Sequence, residues 1–249
     1  MSSSLPIKTF QQGKYNCLYD SHEIDLFDPK MLDASYWQKE NAITGSAQGR
    51  GTTWFVKYSD KTNNKTKHWV LRHYYRGGLI GKIINDSYWF TSQKNTRAAR
   101  EFDLLSYMQK LALPAPKPIA CRVIRHGLFY RADLLSSRIE NAQDLVALLS
   151  NKTLSDALWK KIGITIKRFH DNNIYHHDLN AHNILIDDKD NVFLIDFDRG
   201  EIRESNQASW QQANMARLQR SFLKEQNKLP TFYWRHDNWQ VLLEGYLSH

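Results

Sequence analysis

One stretch constrains this chain more than any other. It reads His176-His177-Asp178-Leu179-Asn180-Ala181-His182-Asn183, then Ile184-Leu185-Ile186, a polar turn, and Val192-Phe193-Leu194-Ile195-Asp196-Phe197-Asp198. The two apolar runs are rich in β-branched residues and flank Asp-Asp-Lys-Asp-Asn, so they predict a buried hairpin. A hairpin brings its two outer ends to one edge. The shape H-x-D-x-x-x-x-N therefore meets the shape D-F-x, and three oxygen-bearing side chains converge. Phosphoryl transfer needs such a set. Asp178 would orient an attacking hydroxyl and accept its proton, while Asn183 and Asp196 would hold the Mg²⁺ that bridges ATP phosphates.

Two plainer readings compete. Asp and Asn are common in turns because their side chains bond nearby backbone, and on the first of these readings the hairpin ends are loop chemistry alone. The placement of all three groups at one edge argues against that. His170, His176, His177 and His182 lie close in sequence, and histidine is the commonest metal ligand. Yet there is no H-E-x-x-H, and the only cysteines, Cys17 and Cys121, are far apart in sequence. Neither arrangement has zinc-ligand spacing, so packing or hydrogen bonding is the expected role of most of these histidines.

The 249 residues suffice for one large or two-lobed domain. No apolar run approaches the roughly 20 residues of a membrane span, and the opening Met1-Ser-Ser-Ser-Leu-Pro lacks the pattern of a signal peptide. Two cysteines without a secretion signal suggest a reducing compartment and free thiols. Charge is more informative. The net charge is +8, and from Arg50 to Arg125 the chain carries 15 Lys plus Arg against 4 Asp plus Glu, leaving the remainder at −3. A basic half suits an anionic partner such as a nucleotide, nucleic acid or membrane surface. Eight tryptophans add a preference for membrane interfaces or for stacking on sugars and bases.

Along the chain, residues 1 to about 40 are mixed, with a turn at Asp28-Pro29 and a short helix near Asp33 to Trp37. Gly45, Gly49 and Gly51 then precede the apolar run Trp54-Phe55-Val56. Glycine lets backbone amides approach a phosphate closely, although an ordinary loop is an equally natural use. The order G-x-x-x-G-x-G departs from G-x-G-x-x-G, and no G-x-x-x-x-G-K-[ST] occurs. After a polar turn from Lys61 to Lys67, His68 to Arg72 reads as a strand whose Val70-Leu71-Arg72 fills the V-A-I-K slot. Arg72 is thus the candidate cation for the phosphates, with Lys57 as the second choice. Arg72 to Lys82 is basic, aromatic and glycine-rich, suited to cover a substrate, lie on a membrane or simply form a surface loop. Thr96 to Leu111 predicts an amphipathic helix ended by Pro114, Pro116 and Pro118. Glu101 is its only glutamate and the candidate partner of Arg72. A hairpin over Ile119–Ile124 and Leu128–Leu135 leads to helices from Asp144 to Leu149, Leu154 to His170, and Trp210 to Lys224. No A-P-E and no long segment follow Asp198, so a peptide-binding platform is not expected.

These residues resemble the protein-kinase-like superfamily from about Ile43 onward, and more narrowly the Kdo kinases of Gram-negative lipopolysaccharide assembly. The closer likeness lies in Gly49-Arg50-Gly51, in Val70-Leu71-Arg72-His73-Tyr74-Tyr75-Arg76-Gly77-Gly78-Leu79, in the Tyr175–Leu185 and Ile195–Gly200 stretches, and in Arg217–Lys224. The resemblance implies an α+β, two-lobed protein-kinase-like fold. A β-rich lobe with the glycine-rich loop would span residues 1–134, and a mainly helical catalytic lobe 135–249. It implies ATP and Mg²⁺ as cofactors, and transfer to the 4-hydroxyl of Kdo on Kdo-lipid IVA. The protein would sit peripherally on the anionic cytoplasmic side of the inner membrane, with no nucleic acid expected. Asp178 would be the catalytic base, Asn183 and Asp196 the metal ligands, Arg72 and Glu101 the phosphate grip, and Gly45, Gly49 and Gly51 the triphosphate cover. Arg72 stands where such enzymes carry lysine, and Asp198 where protein kinases carry the glycine of D-F-G. A heptose or aminoglycoside kinase, or a non-catalytic module on the same scaffold, remain alternatives at this stage.

Overall fold

The computed structural model describes residues 6–49, 51–60, 65–75, 86–203 and 208–248. Arg50, part of the Lys61–Lys67 turn and the stretch from Arg76 to Lys82 lie outside the described residues. The chain divides into two compact units, Met1–Lys110 with Pro116–Arg138, and Leu111–Ala115 with Ile139–His249.

The first unit is built on an antiparallel sheet. Its elements are β1 (Ile7–Gln12), β2 (Tyr15–Asp20), α1 (Ala34–Lys39), β3 (Ile43–Gln48), β4 (Thr52–Ser59), β5 (Thr66–His73), β6 (Tyr88–Trp89), α2 (Arg97–Lys110), β7 (Pro118–His126) and β8 (Phe129–Ser137). The strand order is β1-β2-β7-β8-β5-β4-β3, and β6 also pairs with β8. Alternation along the strands gives the sheet two working faces. One carries Val56, Trp69, Leu71, Ala120 and Leu135 against Ile24, Met31, Leu32 and Trp37, the segment that read as turn and short helix. Arg122 fastens that segment. Its buried guanidinium donates to Asp133, to Asp33 and to the carbonyls of Pro29 and Leu32, so its burial cost is met by a full set of partners. Against the sheet packs α2, its Ala98, Phe102, Leu105 and Met108 buried at helical spacing. Both cysteines are buried, free thiols in this unit, and burial pushes the Cys17 thiol up to about 12.

The second unit is mainly helical. It comprises β9 (Gln143–Asp144), α3 (Leu145–Asn151), α4 (Asp156–Asp171), β10 (Ile174–Tyr175), β11 (Ile184–Ile186), β12 (Val192–Leu194), β13 (Glu201–Ile202), α5 (Ala208–Lys228) and α6 (His236–Leu247). Ser155 caps α4 by accepting the Leu158 amide, and Leu158, Ile162, Ile166 and Phe169 are buried at the expected spacing. The helix α6 was not legible beforehand. It lies against α4 at close range, because both helices carry a glycine where they meet. A Cβ on Gly163 would stand 2.0 Å from the Leu242 carbonyl oxygen, and one on Gly245 2.1 Å from that of Lys160. The expected hairpin is β11–β12, paired Ile184 to Leu194 and Ile186 to Val192.

Candidate active site

The hairpin register does what the pattern requires. With Ile184 opposite Leu194, Asn183 and Ile195 sit side by side, and the Ile195 amide donates to the Asn183 carbonyl at 3.0 Å. Asp196 follows at once in left-handed backbone, φ 61°, a bend tolerated by few residues other than Gly, Asn and Asp. The chain thereby leaves the strand direction at the exposed Asp196. Phe197 anchors the next position, buried between Phe169 (ring centroids 5.6 Å) and His176 (4.7 Å).

Asp178 is held through its backbone. The Asp178 carbonyl accepts from Asn183 Nδ2 at 2.9 Å and from Asn180 Nδ2 at 3.0 Å. Its amide donates to His176 Nδ1 at 3.2 Å. The other nitrogen of that ring, Nε2, donates to the Ile195 carbonyl at 2.9 Å. Burial pushes the His176 pKa down, which suits a neutral ring with its proton on Nε2. One imidazole thus ties the loop that carries Asp178 to the residue before Asp196. From α5, Asn214 holds the His176 backbone twice, accepting its amide at 3.4 Å and donating to its carbonyl at 3.0 Å. Two turns further on, Ser221 accepts the Ala181 amide at 3.0 Å. The sequence pattern assigned His176 only a packing or hydrogen-bonding role and did not single out Asn214 or Ser221.

Amide and carboxylate oxygens are the donors a hard cation takes. Asn183 spends its amide nitrogen on the loop, so its Oδ1 is the atom of that side chain that could ligate, and Asp196 follows Ile195, whose amide donates to the Asn183 carbonyl. Among the described residues no three His, Cys, Asp or Glu side chains gather as a ready-made metal site. Magnesium takes few protein ligands when nucleotide phosphates supply the rest, and two oxygen donors at a hairpin end fit that habit.

Arg72, Glu101 and the three glycines belong to the first unit. Arg72 Nη2 donates to Glu101 Oε2 at 2.5 Å, and the same oxygen accepts the Tyr74 hydroxyl at 2.6 Å. Tyr74, two residues after Arg72 and on the same side of the chain, belongs to the stretch that carries the resemblance but had no role assigned from sequence. Its phenol is raised well above its ordinary range by burial and the Glu101 charge, so it donates rather than ionises. The register settles which cation adjoins the glycine hairpin. Thr53, two residues after Gly51, pairs with Arg72, whereas Lys57 pairs with His68, roughly 13 Å along the same sheet face. Lys57 is exposed. In the β3–β4 hairpin Gly45 lies at an irregularity against Phe55, and the Gly49 amide donates to the Gly51 carbonyl at 3.0 Å. Gly51 has a packing reason as well, because a Cβ there would stand 2.0 Å from the Tyr75 ring.

A family model described as the lipopolysaccharide kinase (Kdo/WaaP) family matches residues 34–246. The chain belongs to the lipopolysaccharide kinase (Kdo/WaaP) family. Curated relatives extend the likeness over nearly the whole length. A Photobacterium profundum protein named 3-deoxy-D-manno-octulosonic acid kinase is 47% identical, over 92% of this chain and 96% of its own. A Vibrio vulnificus protein of the same name is 44% identical over 97% and 99%, and one from Mannheimia succiniciproducens 49% over 86% and 89%. Among solved structures a Cydia pomonella granulovirus kinase, PK-1, covers 70% of this chain and 58% of its own at 20% identity and a TM-score of 0.43, too distant to argue from. This lipopolysaccharide kinase is an α+β protein, with strands dominating its first unit and helices its second. As a member of that family it is a phosphotransferase acting on an alcohol group, and its family implies ATP as donor.

Proposed function

We propose that this kinase transfers the γ-phosphoryl group of ATP to the 4-hydroxyl of the Kdo sugar on Kdo-lipid IVA, in lipopolysaccharide core assembly. The observation that carries the chemistry is the Asp178 loop, fixed by Asn183, His176 and Asn214. The choice of sugar follows the names of the near-full-length relatives.

In this reading the hydroxyl oxygen bonds to the γ-phosphorus as the bond from that phosphorus to the β–γ bridging oxygen breaks. ADP leaves with the electron pair, and the hydroxyl proton passes to the Asp178 carboxylate. Asn183 Oδ1 and Asp196 would hold Mg²⁺, which when bound supplies positive charge against the phosphate oxygens. Arg72, steadied by Glu101 and Tyr74, neutralises phosphate charge, and the Gly45–Gly51 hairpin offers backbone amides to it. Most of the rate comes from alignment and charge stabilisation.

The acceptor is anchored in lipid, and the protein works peripherally on the anionic cytoplasmic surface of the Gram-negative inner membrane. Three features support this reading. Among the described residues no helix is long and apolar enough to cross a membrane. The basic excess lies in the first unit. Trp89, Leu128 and Phe129 are exposed together where β6 meets the β7–β8 turn, a composition suited to lipid interfaces. Mass spectrometry of Kdo-lipid IVA in phosphatidylglycerol vesicles, after incubation with protein and Mg-ATP, tests the whole proposal. One phosphate should appear on the sugar, faster at low salt than at high, and Asp178→Ala should slow transfer by about a thousand-fold. A wild-type rate in Asp178→Ala would remove that residue from the mechanism.

A further inference from the structure

The Asp178 carboxylate does not face solvent alone. Arg217 Nη1, from α5, stands 3.4 Å from Asp178 Oδ1, and the two side chains are 45% and 50% exposed. Neither stability nor proton transfer accounts for this pair. A half-exposed ion pair contributes little to folding, and the guanidinium occupies the carboxylate oxygen that an acceptor hydroxyl would have to reach. Its place on α5 presents Arg217 to the Asp178 loop. On α5 it lies between Asn214 and Ser221, the two residues that fasten the Asp178 loop to that helix, with helical spacing keeping all three toward one side. Burial first, then the charges of Arg199 and Arg217, push the His177 pKa down. Arg199 is exposed, in left-handed backbone of φ 60°.

We propose that Arg217 forms an anion subsite beside Asp178 that binds the carboxylate of an acidic sugar acceptor. The inference rests on the acceptor reading above and deepens it. In Kdo the carboxylate sits on the next ring carbon but one from the 4-hydroxyl, so a hydroxyl at Asp178 brings the acid group within reach of a neighbouring guanidinium. On binding, the acceptor carboxylate takes Arg217 from Asp178. Asp178 Oδ1 is then open to the acceptor hydroxyl when an acidic sugar is in place. A cationic aminoglycoside would meet the opposite electrostatics and be repelled. An arginine fork also suits a planar carboxylate better than a lysine would.

Steady-state kinetics of the full chain decide it, using Kdo-lipid IVA, its Kdo methyl ester and its dephosphorylated lipid form as acceptors. With wild type, esterification should raise the acceptor KM about tenfold, the scale of one lost charge-assisted contact. Removal of the lipid phosphates should leave it nearly unchanged. Arg217→Gln should raise the KM for the free acid by a similar factor, more than it lowers kcat, and should no longer distinguish acid from ester. Arg217→Lys should restore part of the discrimination. The subsite is overturned if Arg217→Gln loses equally with acid and ester, if its KM for ATP moves instead, or if the lipid phosphates carry the effect. Failure of the wild type to phosphorylate the free-acid acceptor overturns the acceptor reading, and the subsite with it.

Discussion

At the scale of single residues, phosphoryl transfer restricts which side chains can appear, and that restriction is what made Asp178, Asn183 and Asp196 readable. Their chemistry fixes residue type and spacing within one short stretch. The residues that hold them were hidden for the opposite reason. Asn214 lies 38 positions from His176, and nothing local distinguishes it from any polar helix residue. Tyr74 reads as one aromatic among several until the fold sets its hydroxyl on Glu101. The buried Asn214 gives the sharper test. Asn214→Ala strands both the amide and the carbonyl of His176, at a cost of about 1–3 kcal/mol for unsatisfied buried groups. It should lower the melting temperature and, by loosening the Asp178 loop, lower kcat while leaving the KM for ATP nearly unchanged. Calorimetry beside initial-rate kinetics measures both. A lower melting temperature with an unaltered kcat would mean that Asn214 only packs.

At the scale of elements, periodicity did most of the work where an apolar face was present. The helices α2, α4 and α5 follow such faces closely, as do the β7–β8 and β11–β12 hairpins. The strand β1 could not be read, because five of its six residues are exposed and show no alternation; it is specified by pairing with β2 rather than by burial. The helix α6 was obscured by its own Gly245, a residue that usually ends a helix. Here the glycine serves close approach, since the Lys160 carbonyl passes where a side chain would stand. The same contact predicts a clean separation of stability from chemistry. Gly163→Ala places a methyl against the Leu242 carbonyl, and backbone cannot yield as a side-chain tip does. The variant should lose about 3 kcal/mol by overpacking while each folded molecule keeps its kcat. Urea unfolding followed by tryptophan fluorescence checks the first part. An undiminished midpoint would mean that α4 and α6 shift apart without cost.

At the scale of the whole molecule, the two units carry histidines whose titrations oppose each other. In the second unit, burial pushes His170 down to about 4, against the Tyr246 hydroxyl at 2.7 Å, and His176 is lowered in the same direction. Between the ordinary histidine value near 6.5 and about 4, the unfolded chain binds protons that the folded one refuses. Stability from His170 is therefore complete above about 6.5 and is lost as pH falls toward 4, by about 3 kcal/mol. In the first unit, burial would lower His73, but Asp133 and Asp86 outweigh it and hold the ring above its ordinary value. Its stabilisation is fully present below the unfolded value and fades as pH rises through the folded one. Acidification from neutral to pH 5 should thus weaken the helical unit and not the β-rich one. The sequence shows ten histidines but not which are enclosed, so the sign of each contribution appears only with the fold. Hydrogen exchange read by mass spectrometry, corrected for the intrinsic pH effect, should show α4 peptides losing protection between pH 7 and pH 5 while β5 and β8 peptides hold theirs. His170→Gln should flatten most of the α4 slope. An α4 slope as steep in that variant as in wild type would assign the acid sensitivity to other groups.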